Sequence, residues 1–191
     1  MVSQFLNPGG QPFAATIPYH YVCGNHDVRG PGVRQLARST DVPGDYFYSF
    51  RRGPLGVLVR DTGVDKPDDH PVYGGIKRKR LPQFEDAKFK ILFCHITLCW
   101  LRLKESGTYC VDGQKKRHEL LEKAGVQLVI SGYTHEPAWM PAEKGRSYGQ
   151  LIGGGPKPDA ATYIRGHATT DGLTVTQYRL NGEVQHTIKV T

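Results

Sequence analysis

Two runs of apolar and β-branched residues, 88–94 and 127–131, enclose a segment, 114–124, in which Leu120 and Leu121 fall on one helical face. Strand, helix and strand within about 40 residues make a βαβ crossover, whose strands lie parallel and whose connection is right-handed. Gly125 stands just past the helix, where a residue free to take positive φ ends such a segment. This unit sets the fold class as α/β.

Other stretches extend the sheet. Residues 45–50 alternate aromatic and polar side chains, and 55–60 form a second β-branched run, so the two pair as antiparallel neighbours across a turn at 51–54. Residues 173–180 and 184–190 flank Asn181-Gly182, a hairpin signal. Near the start, 17–22 reads as a short buried strand ended by Gly24, which delivers Asn25, His26 and Asp27 together to a strand's carboxyl end. Open α/β sheets hold their chemistry at that end. An amide, an imidazole and a carboxylate in succession have no packing use, since each needs a polar partner when buried. As a cluster they have one: Asn25 offers an oxygen to a cation, His26 a titratable nitrogen, and Asp27 an acceptor that orients the imidazole.

Gly24-Asn25-His26-Asp27 resembles the hallmark of the calcineurin-like metallophosphoesterases, a family that includes purple acid phosphatases. Ile91 to His95 is similar to that family's strand ending in a metal-binding histidine, and Val129 to His135 to its Gly-His-x-His block, in the same order. The resemblance runs from about residue 18 to 190. It implies a two-sheet sandwich with flanking helices, the second sheet mixed, in which up to two cations (Mn, Fe or Zn) activate a hydroxide that attacks phosphorus. By carry-over, Asn25 and His95 bind one metal and His135 the other. His26 protonates the leaving oxygen, Asp27 orients it, and His70, in a loop expected beside the site, touches substrate.

Three departures shape the functional expectation. No Asp or Glu precedes Asp27, so the family's amino-terminal strands and their metal-binding carboxylates have no counterpart. Tyr133 replaces the first histidine of the Gly-His-x-His block, and a phenol is a poor ligand for Mn²⁺ or Zn²⁺. The 81–86 segment is too short for the usual helix before the His95 strand. The expected protein is thus a single, truncated phosphoester hydrolase domain holding fewer than two cations, with impaired turnover. A non-catalytic metal- or phosphate-binding module is the alternative. Missing strands would also leave open edges, which suggests self-association.

Composition narrows the partners. Among the 191 residues are 25 basic and 18 acidic ones, a formal charge of +7 that steers anionic ligands such as phosphorylated substrates. Lys77 to Arg80 is the densest basic cluster, but no aromatics interleave with it, which disfavours nucleic acid. No apolar run approaches the ~20 residues of a membrane-spanning helix. The first residues lack a secretory signal pattern, and the four cysteines are not spaced as CxxC pairs, so a cytoplasmic protein with free thiols is expected.

Overall fold

The computed structural model describes residues 16–27, 47–60, 82–98, 118–143 and 145–191. In chain order its elements are β1 (Tyr48–Arg52), β2 (Leu55–Arg60), the one-turn helix α1 (Pro82–Glu85) and β3 (Phe89–Cys94). A helical segment, α2, follows over 118–123, then β4 (Leu128–Ser131), β5 (Ala138–Met140), β6 (Gly149–Ile152), β7 (Thr162–Ala168), β8 (Leu173–Arg179) and β9 (Val184–Val190). Strands β1-β2-β3-β4-β6-β5 form one sheet and β7-β8-β9 a second.

In the first sheet β2, β3, β4 and β6 run parallel, with β1 and β5 antiparallel at its two edges. The β3–α2–β4 unit is the crossover that the sequence pattern requires, and α2 ends as Gly125 predicts. Gly125 sits at φ 70°, its N–H bonds Glu122 O, and the Val126 N–H bonds Leu121 O, the paired bonds of a Schellman cap. The β1–β2 turn needs only Gly53 and Pro54. Gly53 has φ 55° and proline fixes a negative φ after it, the order that suits a type II′ hairpin.

Alternation along the strands decides which layer each face meets. Phe89 and Ile91 of β3, Leu128 and Ile130 of β4 and Leu151 of β6 pack against Leu173, Val175 and Ile188 of the second sheet. The opposite face, through Leu58, Leu92, Cys94 and Val129, packs on Phe84 of α1 and Leu121 of α2. Each fully buried Leu or Phe contributes about 1.5–3 kcal/mol, so apolar contact carries the adhesion between layers.

Some expectations need correction. Residues 18–24 form no strand, although Tyr21 and Cys23 are buried. The segment is extended and tied to β1 by side chains instead: the Tyr48 hydroxyl donates to Tyr21 O at 2.7 Å, and the His20 ring stacks on Phe50 with centroids 3.7 Å apart. Among the described residues the second sheet is antiparallel, where a mixed one was expected. The described helices lie on one face of the first sheet only, because both α1 and α2 pack into the same cluster. The 81–86 segment, read as too short for the usual helix before the His95 strand, holds the four-residue turn of α1.

The Asn181-Gly182 hairpin forms with a longer loop than a two-residue turn. Arg179 N–H bonds Glu183 O, Gly182 N–H bonds Arg179 O, and Gly182 has φ 90°, so a turn is followed by a glycine of positive φ, as in a three-residue loop.

Candidate functional site

The parallel strands β3, β4 and β6 end together, and the chain after each bends towards one cleft. Residues 132–135 and 153–155 continue β4 and β6 on the same side as His95, which follows β3. Gly132 N–H bonds His95 O at 3.0 Å, and Gly153 N–H bonds Ser131 O at 2.7 Å, which locks these exits to one another. Facing them is the turn at 24–27. There Asp27 N–H bonds Gly24 O at 3.0 Å while Gly24 N–H donates to Asp27 Oδ2 at 2.8 Å. A side chain at Gly24 would stand 3.0 Å from Asp27 Oδ2 and 3.3 Å from His95 Nδ1, so glycine lets the turn approach the histidine closely.

The resulting cleft, of about 320 Å³, is lined by Tyr21, Val22, Gly24, Asn25, His26, Asp27, His95, Tyr133 and His135. Five of the six residues singled out from sequence therefore meet in one place. The sixth, His70, lies outside the described residues, as do Lys77 to Arg80, Cys99 and Cys110. Cys23 and Cys94 are buried, Cys94 on the helix-bearing side of the sheet.

Asn25 Oδ1 and His95 Nε2 are 3.1 Å apart, with Asn25 only 8% exposed. As a protein-only contact this is a hydrogen bond donated by the imidazole N–H. With that proton gone, the same spacing suits two adjacent ligands of one cation, since bonds of about 2.1 Å at right angles place their donors about 3 Å apart. Burial, the largest cause, outweighs the opposing charge of Asp27 and, with the smaller contributions of His135 and His26, holds the His95 imidazole below its ordinary titration range. It is neutral near pH 7, the form that ligates. The donors thus fit one cation in part. They do not build a two-metal centre: among the described residues no three of His, Cys, Asp and Glu converge closely enough to hold an ion.

Asp27 helps to close the turn. Its carboxylate accepts from Gly24 N–H, and the buried Tyr21 hydroxyl also faces it, which pushes the Tyr21 phenol well above its ordinary value, burial contributing most and Asp27 next. His26 itself is exposed at the cleft.

Two backbone outliers stand here. Tyr133 has φ 73° and His135 φ 62°, and no other described non-glycine residue has positive φ. Such conformations cost on the order of 1–3 kcal/mol each in bulky residues and cluster where function needs them. Gly155 accommodates the second, since a side chain there would lie 2.7 Å from His135 Cβ.

No protein-family model matches the sequence, and neither does any curated protein. Among solved structures, a purple acid phosphatase from yellow lupin (Lupinus luteus) seeds superposes over 94% of this chain with a TM-score of 0.70 at 14% identity. Over that stretch this chain shares the fold of the lupin protein. The chain spans 42% of that lupin protein. The Plasmodium inner-membrane-complex anchor GAP50 (TM-score 0.42, 13% identity, 76% of this chain and 53% of its own) is more distant. So is zinc-complexed Vps29 from Entamoeba histolytica (0.34, 12%, 88% and 77%). At those scores neither of the two informs the fold.

Tyr21, Val22 and Gly24 also line the cleft, without having been singled out as site residues. Their signal was adjacency: they lie within four residues of Asn25 on the segment that enters the cleft. Among the described residues no helix is long and apolar enough to cross a membrane.

A stability prediction follows from two histidines. His20, lowered by burial and then by Arg52, shifts in the same direction as His95. A histidine whose folded value is depressed binds its proton more readily when unfolded, so its stabilisation is complete above the ordinary value of 6.5 and is lost as pH falls below it. The urea midpoint should be level from pH 8 to 7 and drop between pH 6.5 and 5.5, less steeply in His20→Gln. A midpoint that is flat or rises over the acidic window contradicts this.

Proposed function

We propose that the cleft is the site of a metal-dependent phosphoester hydrolase that takes a phosphorylated substrate and turns over slowly. The observation carrying this reading is the Asn25–His95 pair, an amide oxygen and a neutral imidazole nitrogen 3.1 Å apart at the carboxyl end of a parallel sheet. Those two residues would hold Mn²⁺, Zn²⁺ or iron, and His135, which lines the same cleft, is the donor offered to a second ion. When bound, the cation neutralises phosphoryl oxygens and lowers the pKa of water for attack on phosphorus. The chain's own part is positional and acid–base. Asn25 and His95 fix where the phosphoryl group lies, exposed His26 donates a proton to the leaving oxygen, and Asp27 keeps the turn closed through Gly24. Slow turnover follows from the small number of donors that converge among the described residues.

A second reading, a module that binds a cation or phosphate without catalysis, is favoured by Tyr133 standing where the resemblance expects a ligand. Equilibrium dialysis against Mn²⁺ and Zn²⁺ tests the pair itself. The expected result is one ion per chain, bound ~10–100-fold more weakly in Asn25→Ala and in His95→Ala. Unchanged binding in both variants removes the proposed ligands. Release of phosphate from 4-nitrophenyl phosphate that follows the cation separates hydrolase from binding module.

A further inference from the structure

We propose that the outward face of the second sheet binds single-stranded nucleic acid, with tyrosine rings stacking on bases and cations meeting phosphates. Alternation along β7, β8 and β9 sends one set of side chains to the core and the other outward. Ile164, Leu173, Val175 and Ile188 take the inward side. Residues directly across an antiparallel ladder share a face, so the register fixes the outward set. Tyr163 lies across from Tyr178, Arg165 from Thr176, His167 from Thr174, and Thr174 in turn from Lys189. None of these residues lines the cleft, and the inference does not rest on the hydrolase reading.

Tyr163 and Tyr178 stand as near-parallel rings at 11°, with centroids 5.0 Å apart. Tyr163 is 41% exposed on an edge strand of its sheet, which leaves ring surface for a further planar group. Arg165, His167 and Lys189 are exposed as well. The acidic residues between 162 and 190 are Asp171 and Glu183, and both sit in turns between strands, Glu183 at 3.7 Å from Arg179. The face is therefore positive, with no carboxylate among the side chains that its strands turn outward.

That chemistry selects a partner. Exposed cations attract an anion, and aromatic rings set among them favour one that is also planar. An unpaired strand supplies both, through its phosphates and its bases, whereas a duplex hides its base faces. Antiparallel sheets hold single strands in this way, with aromatic side chains stacking the bases. Lys77 to Arg80 bring charge without interleaved rings; the second sheet brings both. A second copy of this chain would set like charges against each other. Val184, across from Tyr178, is the one aliphatic side chain placed by the register on the outward face, too little apolar surface for insertion into lipid.

The experiment is fluorescence anisotropy of a short labelled oligothymidylate over a range of salt, in chelator so that cation binding in the cleft plays no part. The wild-type chain should bind it more tightly than a duplex of equal length. Tyr163→Ala should weaken binding ~5–100-fold, and Tyr163→Phe should bind as wild type, since the ring and not the hydroxyl stacks. Arg165→Gln and Lys189→Gln, both at exposed positions, should keep the wild-type urea midpoint and each flatten the slope of log affinity against log salt by ~0.7. Unchanged affinity in Tyr163→Ala, or an unchanged slope in both glutamine variants, places any binding elsewhere on the chain and overturns the proposal. So does preference for the duplex, or a chain that binds phosphatidylserine vesicles and not the oligonucleotide.

Discussion

His26→Ala is expected to reduce phosphate release from 4-nitrophenyl phosphate by ~10²–10⁴-fold, the usual contribution of a positioned general acid. The side chain is exposed, lies at the tip of the 24–27 turn, and takes no part in the bonds that close that turn, which run between Gly24 and Asp27. Its loss should therefore leave the urea midpoint and the dialysis stoichiometry of Mn²⁺ unchanged. That combination would distinguish His26 from Asn25 and His95, whose replacement is expected to lower cation affinity. The dependence on leaving group sharpens the assignment. A proton donor matters most for a poor leaving group, so the deficit should grow from a nitrophenyl to an alkyl phosphate. Equal turnover by variant and wild type, or a deficit independent of leaving group, shows that His26 is not the acid.

The largest effect on stability is expected at Gly154, replaced by alanine. A methyl group there would overlap Ala160 O and lie 2.8 Å from Ala160 C, and both atoms are backbone with no rotamer by which to yield. The same stretch is tied by Gly154 N–H to Thr162 Oγ1 at 3.0 Å and by Gly155 N–H to Ala160 O at 3.2 Å, so relief of the clash breaks the join between β6 and β7. The cost should be at least ~3 kcal/mol, the range of forced overpacking with backbone displacement. Gly153→Ala is the internal control. Its added carbon would be 3.4 Å from Ser131 O, an ordinary contact, and should cost less than ~1 kcal/mol. Urea midpoints that place the two variants level refute this ranking.

Where local chemistry decides structure, the sequence was readable. The Gly53 turn, the Gly125 cap and the Asn181-Gly182 hairpin each depend on a residue that tolerates positive φ, and each appears where its glycine stands. Strands β3 and β4 were legible because continuous apolar runs of that length suit a sheet buried on both faces. Residues 17–22 carry an equally good pattern and yet form no strand. Alternation shows that a segment is extended with one side buried; whether another backbone lies within ladder distance depends on residues far along the chain. Pro18 adds a missing donor, and the exposure of Ile17 (58%) and Tyr19 (53%) shows how little of the segment the fold covers. Strands β5 and β6 were not anticipated for a related reason. β6 is four residues with Gly149 and buried Gln150 at its start, and what makes it a strand is the parallel register with β4 and the Trp139 ring packed where a side chain on Gly149 would be. The site was legible as a set of residue types and not as geometry. Asn25, His26 and the two strand-end histidines were evident, while the 3.1 Å pairing of Asn25 with His95 and the strain at Tyr133 arise only from backbones separated by 70 residues or bent against their preference.

The tether between residues 18–24 and β1 gives the two halves of the cleft different thermodynamic standing. His95 and His135 follow strands whose amides are shielded until the sheets themselves come apart. Asn25 and His26 ride on a segment that forms no strand among the described residues, with a tyrosine hydroxyl and a stacked ring pair among its ties to β1. Such a segment can lift away in a sub-global opening, with a free energy well below that of complete unfolding. A cation bridging Asn25 and His95 would join a weakly protected piece of chain to a strongly protected one, so its binding should register as slowed amide exchange across 18–27 while the exchange of the β-sheet core hardly changes.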